Sequence, residues 1–252
     1  MVAAPAAGDA IDRARRLPRL RVGLHIVLID GRPLLPASDL PDMVDKTGRF
    51  RSDIASASVR IFLDPAMRRQ AAAEITAQFD AFAATGLRLD HVDCHKHWHL
   101  HPIIARLVME IGQHYGMNAL RVPSEPIDVL RRVENQVPSL QSLVTAMCAA
   151  RLRAHVRRRR LRAADRVFGL AWSGAMIERR IVGLLAHLPD GLTEIYMHPA
   201  TSNIFAGAVP GYRYAEELTA LLAPGVSAAT TGSNIRLAGY GDAVATDAAI
   251  SD

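Results

Sequence analysis

Apolar positions recur along this chain in two rhythms. Short unbroken apolar runs alternate with longer stretches in which apolar residues return every three or four positions, the pattern of an α/β protein with a largely parallel sheet. Arg21 to Leu28 (RVGLHIVL) reads as a buried strand ended by Asp30-Gly31. Asp64-Pro65 then opens a helix, with a carboxylate at the N-cap and proline in the first turn, and Ile75, Phe79 and Phe82 share one face before Gly86 closes it.

Leu87 to Asp93 is the next expected strand, and a helix from Pro102 aligns Ile104, Leu107, Val108, Ile111 and Tyr115 ahead of Gly116. Ala119 to Val122 reads as a short strand stopped by Pro123, Leu143 to Val167 as a long basic helix, and Ala175 to Leu188 as another helix. Thr193 to Met197 is a strand ended by His198-Pro199, Arg213 to Leu222 a helix stopped by Pro224, and Ile235 to Tyr240 the last strand. These are five strands, fewer than a closed β/α barrel needs. The opening residues read as the end of a strand followed by a helix.

Composition changes this picture little. Half of the 252 residues are apolar and 22% are charged, enough to bury one large core, and the whole chain, 1–252, is expected to be a single domain. Cys94 and Cys148 are far apart and make no disulfide framework, which suits a reducing compartment. No apolar run reaches the roughly 18 residues of a membrane-crossing helix, and Met1 to Gly8 carries no secretion signal, so a cytoplasmic location is expected.

The net charge of +5 is concentrated in one place. Eight arginines and one aspartate lie between Arg151 and Arg166, a local +7, so the rest of the chain is slightly acidic. A solvated helix face explains such a run about as well as a function does. The functional reading is contact with anionic lipid at the inner membrane face, because an apolar stripe lies beside the arginines. Nucleic acid is disfavoured, since no aromatic residues interleave with them.

The densest chemistry is DHVDCHKHWHLHP, residues 90–102, where His91, His95, His97, His99 and His101 alternate with other residues and Asp93 fills the gap. In an extended segment residues two apart share a face, so His91, Asp93 and His95 would project together at the carboxyl end of a strand, where α/β active sites form. Imidazole and carboxylate suit a divalent ion such as zinc or magnesium, with Asp93 as ligand or as orienter. A solvated His-rich turn is the plainer alternative. Cys94 faces away from that row and reads as a buried thiol.

His25 interrupts an apolar strand, and by itself is more often a satisfied core histidine; His198 has the same setting. Three histidines at the ends of three strands suggest convergence. Arg121 ends another strand and would orient an acid or lie at the surface. Trp172 would stack on a sugar ring or simply pack.

Taken together, RVGLHIVLIDGRPLLP, DHVDCHKHWHLHP, ALRVPSEP, GLAWSGAM and EIYMHPAT resemble the YdjC-like carbohydrate deacetylase family, and within it the hopanoid biosynthesis-associated branch HpnK. The resemblance implies a distorted TIM-like β/α barrel and hydrolysis of an N-acetyl group on a sugar, assisted by a divalent metal ion, Mg²⁺ or Zn²⁺. It places His25 and His95 as metal ligands, His198 as general acid and Arg121 as the arginine orienting an acidic partner, with Asp93, His97, His99 and Trp172 around metal or substrate. It implies an acetylated amino-sugar substrate, lipid-linked in the hopanoid branch, and is compatible with a homodimer. The Asp-Asp-Phe-Gly motif that opens the family, source of a metal-binding carboxylate and a base, has no counterpart here. The expectation is therefore a barrel lacking its first β/α unit, with a basic helical insertion at about 140–168. Two rival readings are an inactive barrel that only binds metal or docks on lipid, and a metal-dependent phosphoesterase. The latter would bring carboxylate ligands and Gly-rich loops that the sequence lacks.

Overall fold

The computed structural model describes residues 1–231 and 234–242. In chain order its elements are α1 (Ala7–Arg15), β1 (Val22–Ile26), α2 (Ile54–Leu63), α3 (Pro65–Ala83), β2 (Leu89–Cys94), α4 (Pro102–His114), α5 (Ile127–Val133), α6 (Leu140–Arg158), β3 (Arg166–Phe168), α7 (Glu178–Leu185), β4 (Thr193–Ile195), α8 (Tyr214–Leu221) and α9 (Pro224–Thr231). The chain divides into two compact units, one formed by residues 1–121, 151–163 and 239–242 and the other by residues 122–150 and 164–238.

In the first unit β1 and β2 run parallel, with Leu24 opposite Val92, His25 opposite Asp93 and Ile26 opposite Cys94. Leu24, Ile26, Val92 and Cys94 are buried, so one face of the ladder is core. Gly23 lies on the other face, where a Cβ would stand 2.6 Å from the His91 ring; only glycine lets that ring lie flat. Asp64 caps α3 through the backbone N–H of Ala66, as the Asp-Pro pair predicts, and Ile75, Phe79 and Phe82 are buried along it. Two buried polar side chains on α3 tie down the strand's exit: Gln78 exchanges two hydrogen bonds with the backbone of Val27, and Glu74 accepts the N–H groups of Leu34 and Leu35. Burying them is tolerable because each is paired.

In the second unit β3 and β4 pair in parallel, Arg166 opposite Thr193 and Phe168 opposite Ile195. Its core gathers Val129, Leu130, Phe168, Trp172, Met176, Ile181 and Leu184.

Several expectations need correction. The basic helix ends at Arg158, not Val167: Arg160 adopts φ 55° and the chain turns back into β3. Ala119 to Val122 makes only single bridges, Leu120 with Val92 and Ala119 with Arg162. Ile235 to Tyr240 is irregular, and its Tyr240 and Gly241 N–H groups bond to the Asp90 carboxylate instead of a strand. α2, α5 and α9 arise where no helix was expected, α2 because Asp53 supplies a second side-chain cap to Ala55 and Ser56. The fold is mixed α/β with two parallel ladders, and no closed barrel is formed by the described residues. Among them, no helix is long and apolar enough to cross a membrane.

Candidate functional site

The parallel register of β1 and β2 sets the site. Because His25 and Asp93 are Cα partners on the face away from the core, their side chains meet: His25 Nδ1 lies 2.8 Å from Asp93 Oδ2. A third backbone segment closes the group, since Arg121 N–H donates to the Val92 carbonyl (3.0 Å) and Arg121 thereby sits beside β2. Its guanidinium donates to the same Asp93 oxygen. Asp93 is nearly inaccessible, and although burial opposes its ionisation, His25 and Arg121 hold its carboxyl well below the usual carboxylate range.

β2 ends at Cys94, and the alternation ends with it. Residues His95–Leu100 form a tight 3₁₀ segment in which Lys96 and His97 take left-handed backbone angles, φ 52° and 53°. His95 stands before this kink, its Nδ1 3.4 Å from Nε2 of His25, and the kink redirects the chain beyond it. It separates the other histidines. His99 is fully buried and its Nε2 bonds to the Arg121 carbonyl at 2.8 Å, which fixes the segment bearing Arg121. His97 stands edge-on to His99, His101 edge-on to Phe62, and His91 pairs with Asp90 and stacks on Tyr240. Burial lowers His95 to about 4, helped by the charge of His25, and lowers His97 to about 3 and His99 to about 4. All three are neutral at pH 7, the form in which imidazole is a metal ligand. Cys94 is buried, and that burial pushes its thiol up.

Two ligands about 2.1 Å from one tetrahedral ion are roughly 3.4 Å apart, and the facing nitrogens of His25 and His95 match that spacing. The outer nitrogen of His25 has the carboxylate that such a ligand needs to fix its tautomer. The two imidazoles therefore fit a shared divalent ion. Among the described residues, no three His, Cys, Asp or Glu side chains form a complete ligand set.

Sequence reasoning passed over Asp30 and Lys96. Lys96 Nζ lies 2.5 Å from Asp30 Oδ2, and the same oxygen is 3.8 Å from His95 Nε2. The signal was a lysine adjoining the first histidine of the kinked segment; Asp30-Gly31 read only as a strand end.

The second unit holds the remaining candidates. His198 follows β4 with its ring 5.6 Å from that of Tyr196 and 5.2 Å from that of Tyr212, centre to centre. Its backbone N–H donates to Glu217, a fully buried carboxylate that also accepts the N–H of Met176. Trp172 is 3% exposed within this unit's core, with the Arg180 guanidinium 5.2 Å above its ring. Glu125 accepts the N–H groups of Gly169, Leu170 and Ala171, holding the turn that precedes Trp172.

The family described as YdjC-like protein matches residues 1–231. A carbohydrate deacetylase of Geobacillus stearothermophilus is 28% identical over 94% of this chain and 81% of its own length. A carbohydrate deacetylase of Brevibacillus brevis is 36% identical over 42% of this chain and 40% of its own length, and one of Vibrio cholerae is 34% identical over 46% and 43%. Apart from the Geobacillus protein, these alignments span less than half of each relative. Among solved structures, a protein of Enterococcus faecalis V583, provisionally described as a cellobiose-phosphate cleavage protein, superposes with a TM-score of 0.67 over 95% of this chain and 84% of its own, at 22% identity; it supports the fold alone.

Proposed function

The chain belongs to the YdjC-like family, and we propose that it hydrolyses the N-acetyl group of an N-acetylglucosamine-type sugar, releasing acetate and leaving a free amine. The observation that carries this reading is the pair of imidazole nitrogens 3.4 Å apart at the exit of two parallel strands. Carbohydrate deacetylase relatives support the substrate class.

In this reading His25 and His95 hold a divalent ion. When bound, the ion supplies a Lewis acid for the amide carbonyl and acidifies water at neutral pH. Asp93 keeps the His25 Nδ1 proton, so that Nε2 presents a lone pair toward His95. Arg121 holds Asp93 ionised and in place. His198, flanked by Tyr196 and Tyr212, is assigned the proton that the departing amine takes up. His97, His99 and Trp172 remain supporting or substrate-contacting residues in this reading: His99 fixes the Arg121 backbone, and Trp172 packs in the core of its unit. No Asp-Asp pair occurs in the 252 residues, and the carboxylate ligand and base called for by the family resemblance have no match among them.

The finer parts of the proposal are a TIM-like barrel architecture, membership of the HpnK branch and a lipid-linked amino-sugar. Contact with an anionic membrane through Arg151–Arg166 goes with them. α6 favours that contact: Leu140, Leu143, Val144 and Met147 are exposed at one helical face, and the helix continues into Arg151, Arg157 and Arg158. Flotation with phosphatidylglycerol vesicles at low and high salt tests it, and absence of salt-sensitive binding removes it.

The test of the activity is amine release from N-acetylglucosamine oligomers with Zn²⁺ or Mg²⁺ and with chelator. Ion-dependent release that disappears in His25→Ala is the expected result. Ion binding without release would favour the metal-binding module instead.

A further inference from the structure

We propose that Asp30 is a positioning residue for His95, the counterpart of what Asp93 is for His25; this rests on the reading that the two histidines share an ion. The four side chains form a nearly symmetric row. Asp93 Oδ2 meets His25 Nδ1 at 2.8 Å, His25 Nε2 faces His95 Nδ1 at 3.4 Å, and His95 Nε2 faces Asp30 Oδ2 at 3.8 Å. Once Nδ1 of His95 is committed to an ion, its Nε2 must carry the proton, and Asp30 is the carboxylate on that side. A slide of about 1 Å turns the present approach into a hydrogen bond.

The backbone shows that this placement is held. Asp30 occupies the left-handed region at φ 61°, a conformation that costs a non-glycine residue about 1 kcal/mol. It stays there because its N–H donates to the Arg51 carbonyl, its own carbonyl accepts from the Arg49 guanidinium, and Gly31 follows, where a Cβ would stand 2.5 Å from Val27. Lys96, also left-handed, brings its ammonium 2.5 Å from the Asp30 carboxylate and anchors it on that side of His95. Two strained residues on separate segments thus aim one carboxylate at the outer nitrogen of His95.

Zn²⁺ affinity of the full chain, measured by competition with a chromogenic chelator, tests this without any turnover. Asp30→Gly keeps the left-handed backbone and deletes the carboxylate; Asp30→Asn keeps an acceptor oxygen at a conformation asparagine tolerates. Asp30→Gly is expected to weaken Zn²⁺ binding by roughly 10- to 100-fold, Asp30→Asn to recover most of that loss, and the melting temperatures of the metal-free proteins to stay close to that of the unaltered chain. Undiminished binding by Asp30→Gly, or equal losses in both variants, overturns the assignment of Asp30. Failure of the unaltered chain to bind Zn²⁺ overturns the shared-ion reading and this inference with it.

Discussion

His25 and Asp93 face each other across two parallel strands with 2.8 Å between ring nitrogen and carboxylate oxygen, and the same carboxylate oxygen receives the guanidinium of Arg121. One buried anion therefore serves two partners at once.

Asp93→Ala should be strongly destabilising. The change takes from the Arg121 guanidinium, 12% exposed, the buried carboxylate it donates to, and breaking a buried charge pair costs about 3–5 kcal/mol. Urea denaturation gives the number. Asp93→Asn, which keeps the shape and one acceptor, should lose less.

The pH dependence of folding follows from the buried histidines. Their folded-state values, about 4 for His95 and His99 and about 3 for His97, lie below the ordinary 6.5, so above pH 6.5 neither folded nor unfolded chain holds the proton. As pH falls from 6.5 toward 4 the unfolded chain takes up protons that the folded one refuses, and stability declines over that window. Metal-free protein should melt about 5 °C or more lower at pH 4.5 than at pH 7. A melting temperature that rises on acidification would show that these rings are charged in the folded state.

Glu217 should matter to the His198 segment more than its distance along the chain suggests. Its two oxygens accept the N–H groups of His198 and Met176 in a fully buried setting. Glu217→Ala leaves both donors unsatisfied and should cost about 2–4 kcal/mol; Glu217→Gln, which keeps one acceptor, should cost less. Hydrogen exchange at residues 196–199 distinguishes this from a global loss, being fastest in the alanine variant.

His198→Ala should lower deacetylation by about 100-fold or more while leaving Zn²⁺ binding intact, as expected for a proton donor. Equal loss of both would assign His198 to the ion instead.

Gly23→Ala should destabilise by about 1–3 kcal/mol, because the new methyl group displaces His91 from its stack on Tyr240. Double substitution with His91→Ala should recover part of the loss.

Much of the site was legible in the sequence. RVGLHIVL and the strand before Asp93 were visible as apolar runs, and the imidazole and carboxylate in them could be placed at strand ends. The pairing of His25 with Asp93 was not, since parallel register is a long-range property. The kink at Lys96 and His97 also escaped. Alternation set His91, Asp93 and His95 on one face, but the left-handed pair that follows sends His97 and His99 elsewhere. Asp30 was missed for the same reason, as its role comes from a left-handed turn and not from its neighbours. Short elements misled most: β3 overlaps the end of what reads as a basic helix, and Ile235 to Tyr240 has strand-like residues whose last N–H, that of Tyr240, bonds to Asp90. α2 escaped because its Asp53 cap lies within a polar loop that reads as irregular.

Anomalous diffraction from crystals of the chain soaked in Zn²⁺ tests the central claim most directly. The account predicts one strong peak about 2.1 Å from both Nε2 of His25 and Nδ1 of His95. Zinc found elsewhere, or bound to only one of these rings, would contradict it.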